Sequence, residues 1–193
     1  MNPRAEAAHA VVPRPLRADA RRNRQRILEA AAKEIAQRGL DVQMEDIAHA
    51  AGVGVGTIYR NFPTKQALQD ALWEEKRRRV IEVARRAAAN TDPWGAIVQL
   101  FTEGTDLQIQ DLGWCEALGS QPKGMRRQDA PPELLEATQG VLNRAKDAGV
   151  LRPDFEFDDV GNVFGAMATV IANGGAQARD GLLRVILDGL RAH

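Results

Sequence analysis

The sequence predicts an all-α protein, and three observations predict it. Apolar residues recur at three- and four-residue spacings along most of the 193 residues, the pattern of a helix with one buried stripe. No segment sustains the alternation of a half-buried strand, so no sheet is expected. The stripes stop at residues that end or start helices: Gly39, the pair Asp92 and Pro93, Gly149, and the pair Gly174 and Gly175.

In chain order, residues 1–17 carry Pro3, Pro13, Pro15, Arg4, Arg14 and Arg17 without helical period and are expected to form a disordered basic arm. From Asn23 to Gly39, the residues Ile27, Leu28, Ala31, Ala32, Ile35 and Ala36 mark one helix face, and Gly39 suits the C-terminal cap. Leu40 is expected to plug a small core. A short amphipathic segment, Met44 to Ala51, then meets Gly52, where a turn with positive φ costs a glycine little, and a second short helix runs into Phe62. Ala48 is small where these helices pass, and Ile47, Val53 and Ile58 are apolar where they share a core. Pro63 breaks the chain and the Thr64 hydroxyl can cap the next helix, whose stripe runs from Leu68, Ala71 and Leu72 through Val80, Ile81 and Ala84 as one long connector. Asp92 as cap with Pro93 in the first helical position opens a fifth helix reaching about Gln110. Gly113 to Gly119 reads as a short helix or turn, and Gly119 to Pro132 as a loop. Helices follow over Glu133–Ala148, Asp158–Asn173 and Gln177–Arg191. The expected division is an arm over 1–17, a three-helix helix-turn-helix domain over 18–74, and a helical domain over 75–193.

Composition sets bounds. Hydrophobic residues at 44% and charged residues at 27% are ordinary for a soluble globular chain. No apolar run approaches the ~18 residues of a membrane span, and the N-terminus lacks a signal-peptide pattern. Cys115 is the only cysteine, which fits a reducing cytoplasm, and no membrane association is expected. The zero net charge hides an asymmetry: residues 1–90 hold 17 Lys and Arg against 11 Asp and Glu, so the first part is basic and the rest acidic by the same margin. That is the distribution expected when one domain faces phosphate and the other does not.

In a helix-turn-helix the second helix lies in the DNA major groove. The stretch Gly52 to Phe62, GVGVGTIYRNF, followed by Pro63, Thr64, Lys65, Gln66, Ala67 and Leu68, resembles the signature of the TetR family of transcriptional regulators, which runs G-V-S-x-G-T-L-Y-x-H-F before a Pro/Lys-containing helix start. With the helix from Asn23 to Gly39, the resemblance covers roughly the first third of the chain. It implies an all-helical homodimer that binds double-stranded operator DNA, most often as a repressor. Its C-terminal domain would hold a small-molecule effector that releases the operator.

The resemblance and the chemistry together nominate the DNA-reading residues. Val55, Gly56 and Thr57 open the reading helix and would point into the groove. A glycine inside a helix costs ~1 kcal/mol relative to alanine, so Gly56 favours close backbone approach over accident. Thr57 can bond a phosphate or touch a thymine methyl, or else bond its own helix. By resemblance Tyr59 donates its hydroxyl to a phosphate; Asn61 stands where the family usually has His, and Lys65 would add a charged phosphate contact. Gln43 stands in place of the usual Thr or Ser cap of the preceding helix, and Gly54 in place of Ser, so direct readout falls to Thr57, Gln43 and apolar contact by Val55. Arg21, Arg22, Arg24 and Arg26 either reach an adjacent minor groove or solvate a helix face.

For the C-terminal part, Leu100, Phe101, Trp114, Cys115, Leu118, Leu142, Phe164 and Met167 are the candidates to line a ligand cavity, with plain core as the alternative for each. The acidic balance of this half favours a cationic or neutral ligand. Gly161 and Gly165 lie one turn apart and allow close helix approach. Together with Leu182, Val185, Ile186, Gly189 and Leu190 they suit the four-helix dimer bundle that the resemblance implies. An enzyme is not expected. His9, His49 and His193 are too scattered for a metal motif, Cys115 has no neighbouring base, and Gly52, Gly54 and Gly56 fall one residue short of G-x-G-x-x-G with no strand before them. No catalytic residue, metal or cofactor is therefore assigned. The alternative to a ligand-released repressor is a DNA-binding regulator controlled by a protein partner or by redox at Cys115.

Overall fold

A computed structural model of the chain describes residues 14–119 and 125–192. Helix α1 (Arg14–Arg38) leads through a 3-10 turn (Gly39–Asp41) into α2 (Met44–Ala50) and α3 (Val55–Asn61). Two long helices follow, α4 (Lys65–Ala89) and α5 (Pro93–Ala117). A second 3-10 turn (Arg127–Asp129), α6 (Pro132–Asp147) and α7 (Phe157–Leu190) complete the chain. The described residues are all-α, apart from one isolated bridge between Leu151 and Arg191.

Helix punctuation follows the residue chemistry. The Thr64 hydroxyl accepts from the Ala67 N–H at 3.1 Å, and Asp92 Oδ2 accepts from the Gly95 N–H at 2.9 Å with Pro93 behind it in the first helical turn. Gly175 adopts φ +62° and ψ −157°, which breaks α7 where the Gly174–Gly175 pair predicts two helices.

Three expectations are corrected. Helix α1 starts at Arg14, so residues 14–17 belong to it, and only residues 1–13 of the expected arm lie outside the described residues. Pro15 falls in the first turn, where its missing N–H has no partner to lose, and the Leu, Arg and Ala residues behind it are good helix formers. Helix α5 does not end near Gln110 but continues to Ala117. Gly113 is not a breaker there: a Cβ built on it would sit 2.7 Å from the Cβ of Ala36, so its bare backbone lets α5 cross α1 at close range. Leu40 is 48% exposed and Val42, at 0%, fills the core in its place, because the 3-10 turn rotates the chain before α2 begins.

Two hydrophobic cores result. The first packs Ile27, Ile35, Ile47, Ile58, Phe62 and Leu68, and takes Trp114 and Cys115 from α5. The second packs α4, α5, α6 and α7 around Ile97, Phe101, Leu142 and Met167. Helix α4 serves both, with Leu68, Ala71 and Leu72 in the first and Val83, Ala84 and Ala87 in the second. The expected boundary at residue 74 therefore falls inside a continuous helix. Between the cores, the buried Asp111 carboxylate accepts from Arg79 Nη1 at 2.8 Å and from the Trp114 indole N–H at 3.2 Å.

The Gly113 crossing predicts opposite outcomes at two glycines. Gly113→Val should lower stability to urea unfolding by about 1–3 kcal/mol through overpacking against Ala36. Gly140→Ala, in α6 where a Cβ would meet nothing within 4 Å, should raise it by about 0.5–1 kcal/mol. Wild-type stability in Gly113→Val would show slack between α1 and α5.

Candidate nucleic-acid interface and ligand cavity

The α2–α3 unit is built around Gly52, at φ +63°. The Val53 N–H donates to the Ala48 carbonyl at 3.0 Å, and Arg26 reaches from α1 to donate to the Gly52 carbonyl at 3.4 Å. Ile58 turns inward from α3 with no exposure, while Val55 and Tyr59 face outward at 45% and 40% exposed. A Cβ on Gly56 or Gly54 would meet nothing within 4 Å. Packing within the subunit thus gives no reason for a glycine at position 56, and its outward backbone is open to close approach.

Each polar candidate on this head has a local partner. The Tyr59 hydroxyl donates to Glu45 Oε1 on α2 at 3.0 Å, and that carboxylate holds the phenol above its ordinary pKa. Thr57 Oγ1 accepts from Arg60 at 3.0 Å, and Asn61 donates from its side-chain amide to the Thr57 carbonyl at 2.8 Å. Gln43 donates to the Asp41 carbonyl at 2.7 Å, and its backbone N–H donates to Asp46 Oδ2 at 3.3 Å. That bond, with the Arg38 guanidinium at 2.8 Å, holds the Asp46 carboxyl below its ordinary range. Of the arginines at the start of α1, Arg24 stacks over the Phe62 ring at 4.6 Å and Arg22 pairs with Asp19.

Lys65 has a task that the sequence does not reveal. Half-buried at the start of α4, it donates to the carbonyls of Leu40 and, at 2.7 Å, Val42. The 3-10 turn leaves these carbonyls without helical partners, and the ammonium clamps them. One of its three N–H groups remains for an anion.

Beyond the head lies a cavity of about 520 Å³ walled by α4, α5, α6 and α7. Of the eight lining candidates, it brings together Leu100, Cys115 and Phe164. Phe101, Leu142 and Met167 are fully buried in the second core instead. Leu118 packs against the first core, and Trp114 belongs to that core and borders a separate depression between α1, α4 and α5. Apolar residues occupy several faces of α5, and one sequence does not say which face meets a void.

Sequence reasoning missed Lys76, Val80 and Val83 on α4, Gln108 on α5 and Thr138 on α6. A signal was present: Lys76 lies four residues from both Leu72 and Val80, so it shares their buried face, unlike Arg77 and Arg78. Lys76 Nζ donates to the Cys115 sulfur at 3.0 Å. Burial pushes the Cys115 thiol pKa up, against the smaller opposing pull of Lys76. Gln108 donates to the Phe164 carbonyl at 2.8 Å, and its own oxygen is buried with no partner among the described residues. Gly161 makes room for the Met125 backbone within its own subunit rather than for another helix.

Comparison with known proteins matches both parts of the chain. Residues 27–72 match the family model described as bacterial regulatory proteins, tetR family, and residues 92–192 match that of the SbtR-like transcriptional regulator C-terminal domain. The crystal structure of a TetR transcription regulatory protein from Mycobacterium vanbaalenii is 36% identical, with a TM-score of 0.67 over 92% of this chain and 100% of that one. A TetR transcriptional regulator from Streptomyces coelicolor is 31% identical, with a TM-score of 0.66 over 88% and 98%. An HTH-type transcriptional regulator from Staphylococcus aureus is 39% identical over 82 residues, 40% of this chain and 42% of that protein, so this match spans less than half of either.

The Lys65 clamp carries its own prediction. Lys65→Met should lower stability to urea by about 1–2 kcal/mol, since it leaves two carbonyls without a charged donor. Unchanged unfolding would mean that water replaces the ammonium at no cost.

Proposed function

Because the chain belongs to the TetR family of transcriptional regulators, we propose that it is a cytoplasmic, dimeric repressor that leaves its operator when a small molecule fills the cavity beside α4. The observation that carries this reading is the double duty of α4. Its first turns seat Leu68 and Leu72 under the DNA-binding head, and two turns on Lys76, Val80 and Val83 wall the cavity. A ligand that shifts this wall shifts the head. It changes DNA affinity only by as much as it prefers one position of α4 over the other.

On the head, the outward row of Val55, Gly56 and Tyr59 enters the major groove, and the Tyr59 hydroxyl exchanges Glu45 for a backbone phosphate. Gln43 and Thr57 flank this row and supply side-chain hydrogen bonds, with Asn61 and the free N–H of Lys65 at its far end. A volume of about 520 Å³ lies in the range of small-molecule sites. Control by redox at Cys115 loses support from its burial and raised pKa, since the reactive form is the thiolate.

For the dimer, the arm of α7 beyond Gly175 presents Gly181, Val185 and Gly189 at four-residue intervals, all exposed, with Val185 at 68%. A large aliphatic side chain flanked by glycines on one helix face suits close packing against a second copy.

The direct test is selection of bound sequences from random DNA, which should return two related half-sites about one helical turn apart or a multiple of it. Enrichment of a single half-site would overturn the dimeric reading. Tyr59→Phe should weaken binding to operator and random DNA alike, with an unchanged slope of affinity against salt, because no charge is lost. Val185→Glu should dissociate the dimer in sedimentation and cost the affinity gained by linking two heads. A wild-type dimer constant would remove Val185 from the interface.

A further inference from the structure

The cavity holds a charge that its surroundings leave uncompensated. Lys76 is half-buried on the α4 wall, its ammonium 5.7 Å from the ring centroids of both Trp73 and Trp114 and bonded to the neutral Cys115 sulfur. No carboxylate among the described residues pairs with it. On the same stretch of α4, Glu74 pairs with Arg77 and Glu75 with Arg78, and across on α5 Asp111 pairs with Arg79. Elsewhere the cavity is largely apolar, with Leu100, Val160, Phe164 and Ile171 on its walls. A half-buried cation without a counter-ion favours an anionic partner, and an apolar wall supplies none.

We propose that Lys76 anchors the anionic head of an amphipathic effector, a carboxylate carried on an apolar body that lies along Leu100 and Phe164. This names the ligand class for the cavity and rests on the reading of that cavity as a ligand site. The carboxylate accepts charge-assisted hydrogen bonds from Nζ, whose protein partners are a thiol and two ring faces. It also reverses the expectation drawn from the acidic balance of residues 91–193. Most of those carboxylates are paired or face water, where they are screened, so the local field at the cavity is set by Lys76. Glu116 also borders the cavity but is exposed, and water competes for any cation it would hold.

The test is titration of the full-length protein with decanoate, decanol and decylammonium, each below its aggregation concentration, followed by calorimetry and by tryptophan fluorescence, for which Trp73 and Trp114 are placed beside the anchor. Decanoate should bind once per subunit and at least about tenfold more tightly than decanol, the margin of a hydrogen bond to a charged group. Lys76→Gln should bring decanoate down to the level of decanol while decanol itself is unchanged, and Lys76→Arg, which keeps the charge, should retain most of the preference. Equal affinities for decanoate and decanol in the wild type, or an unchanged preference in Lys76→Gln, would overturn the anchor. Tightest binding of decylammonium would overturn it in favour of Glu116. Binding of none of the three would overturn the cavity as a ligand site, the reading beneath. Decanoate that binds through Lys76 yet leaves DNA affinity unchanged upholds the anchor and sinks only ligand-controlled release.

Discussion

One helix face seats two cores, and the rest of the molecule is arranged around that constraint. Leu72 and Val83 of α4 are eleven residues apart, close to three full turns, so a straight helix brings both to nearly the same side. The first packs with the head and the second with the C-terminal bundle. Between them on that face Val80 only borders the second core and Lys76 belongs to neither, and the cavity opens at that point. The 25 residues of α4 carry no glycine or proline to absorb a bend locally. Movement at one end is therefore carried to the other.

The crossing of α1 over α5 supplies the second fixed point. At Gly113 the backbone approaches Ala36 without an intervening side chain, and two residues earlier Asp111 receives both Arg79 and the Trp114 indole. The carboxylate is almost fully buried, so loss of either donor leaves a charge with too little compensation. Such a pair adds little net stability compared with a well-packed apolar substitute, but it penalises any other register of α4 against α5.

Much of this was legible in the sequence where the cause is local. The positive φ of Gly52, the Thr64 and Asp92 caps, and the break at Gly175 depend on residues within a turn of one another. So does the all-α class, because helical period is a property of short windows. What escaped depends on distant partners. Gly113 reads as a helix end until Ala36 is known to lie against it, and Leu40 and Val42 exchange places through one 3-10 turn. Lys65 reads as a phosphate contact alone, and the two carbonyls it clamps appear only in the fold. Phe101, Leu142 and Met167 have the composition of cavity walls and the positions of core, a distinction made by the rotation of each helix about its own axis. The charge of the C-terminal half is a coarse guide for a similar reason: a net balance averages over carboxylates wherever they lie.

The short reading helix has a thermodynamic consequence of its own. Seven residues long, α3 buries only Ile58 and has no side-chain cap at Gly54, whereas α4 and α5 are each held by two cores. Opening α4 or α5 exposes both cores at once, so their amides should exchange with solvent only when nearly the whole chain unfolds. Opening α3 exposes little, and its amides should exchange through small local excursions long before that. The helix proposed to read DNA is thus more lightly held than α4 and α5, hung on a frame that yields only as a whole, and it can open without loosening anything behind it.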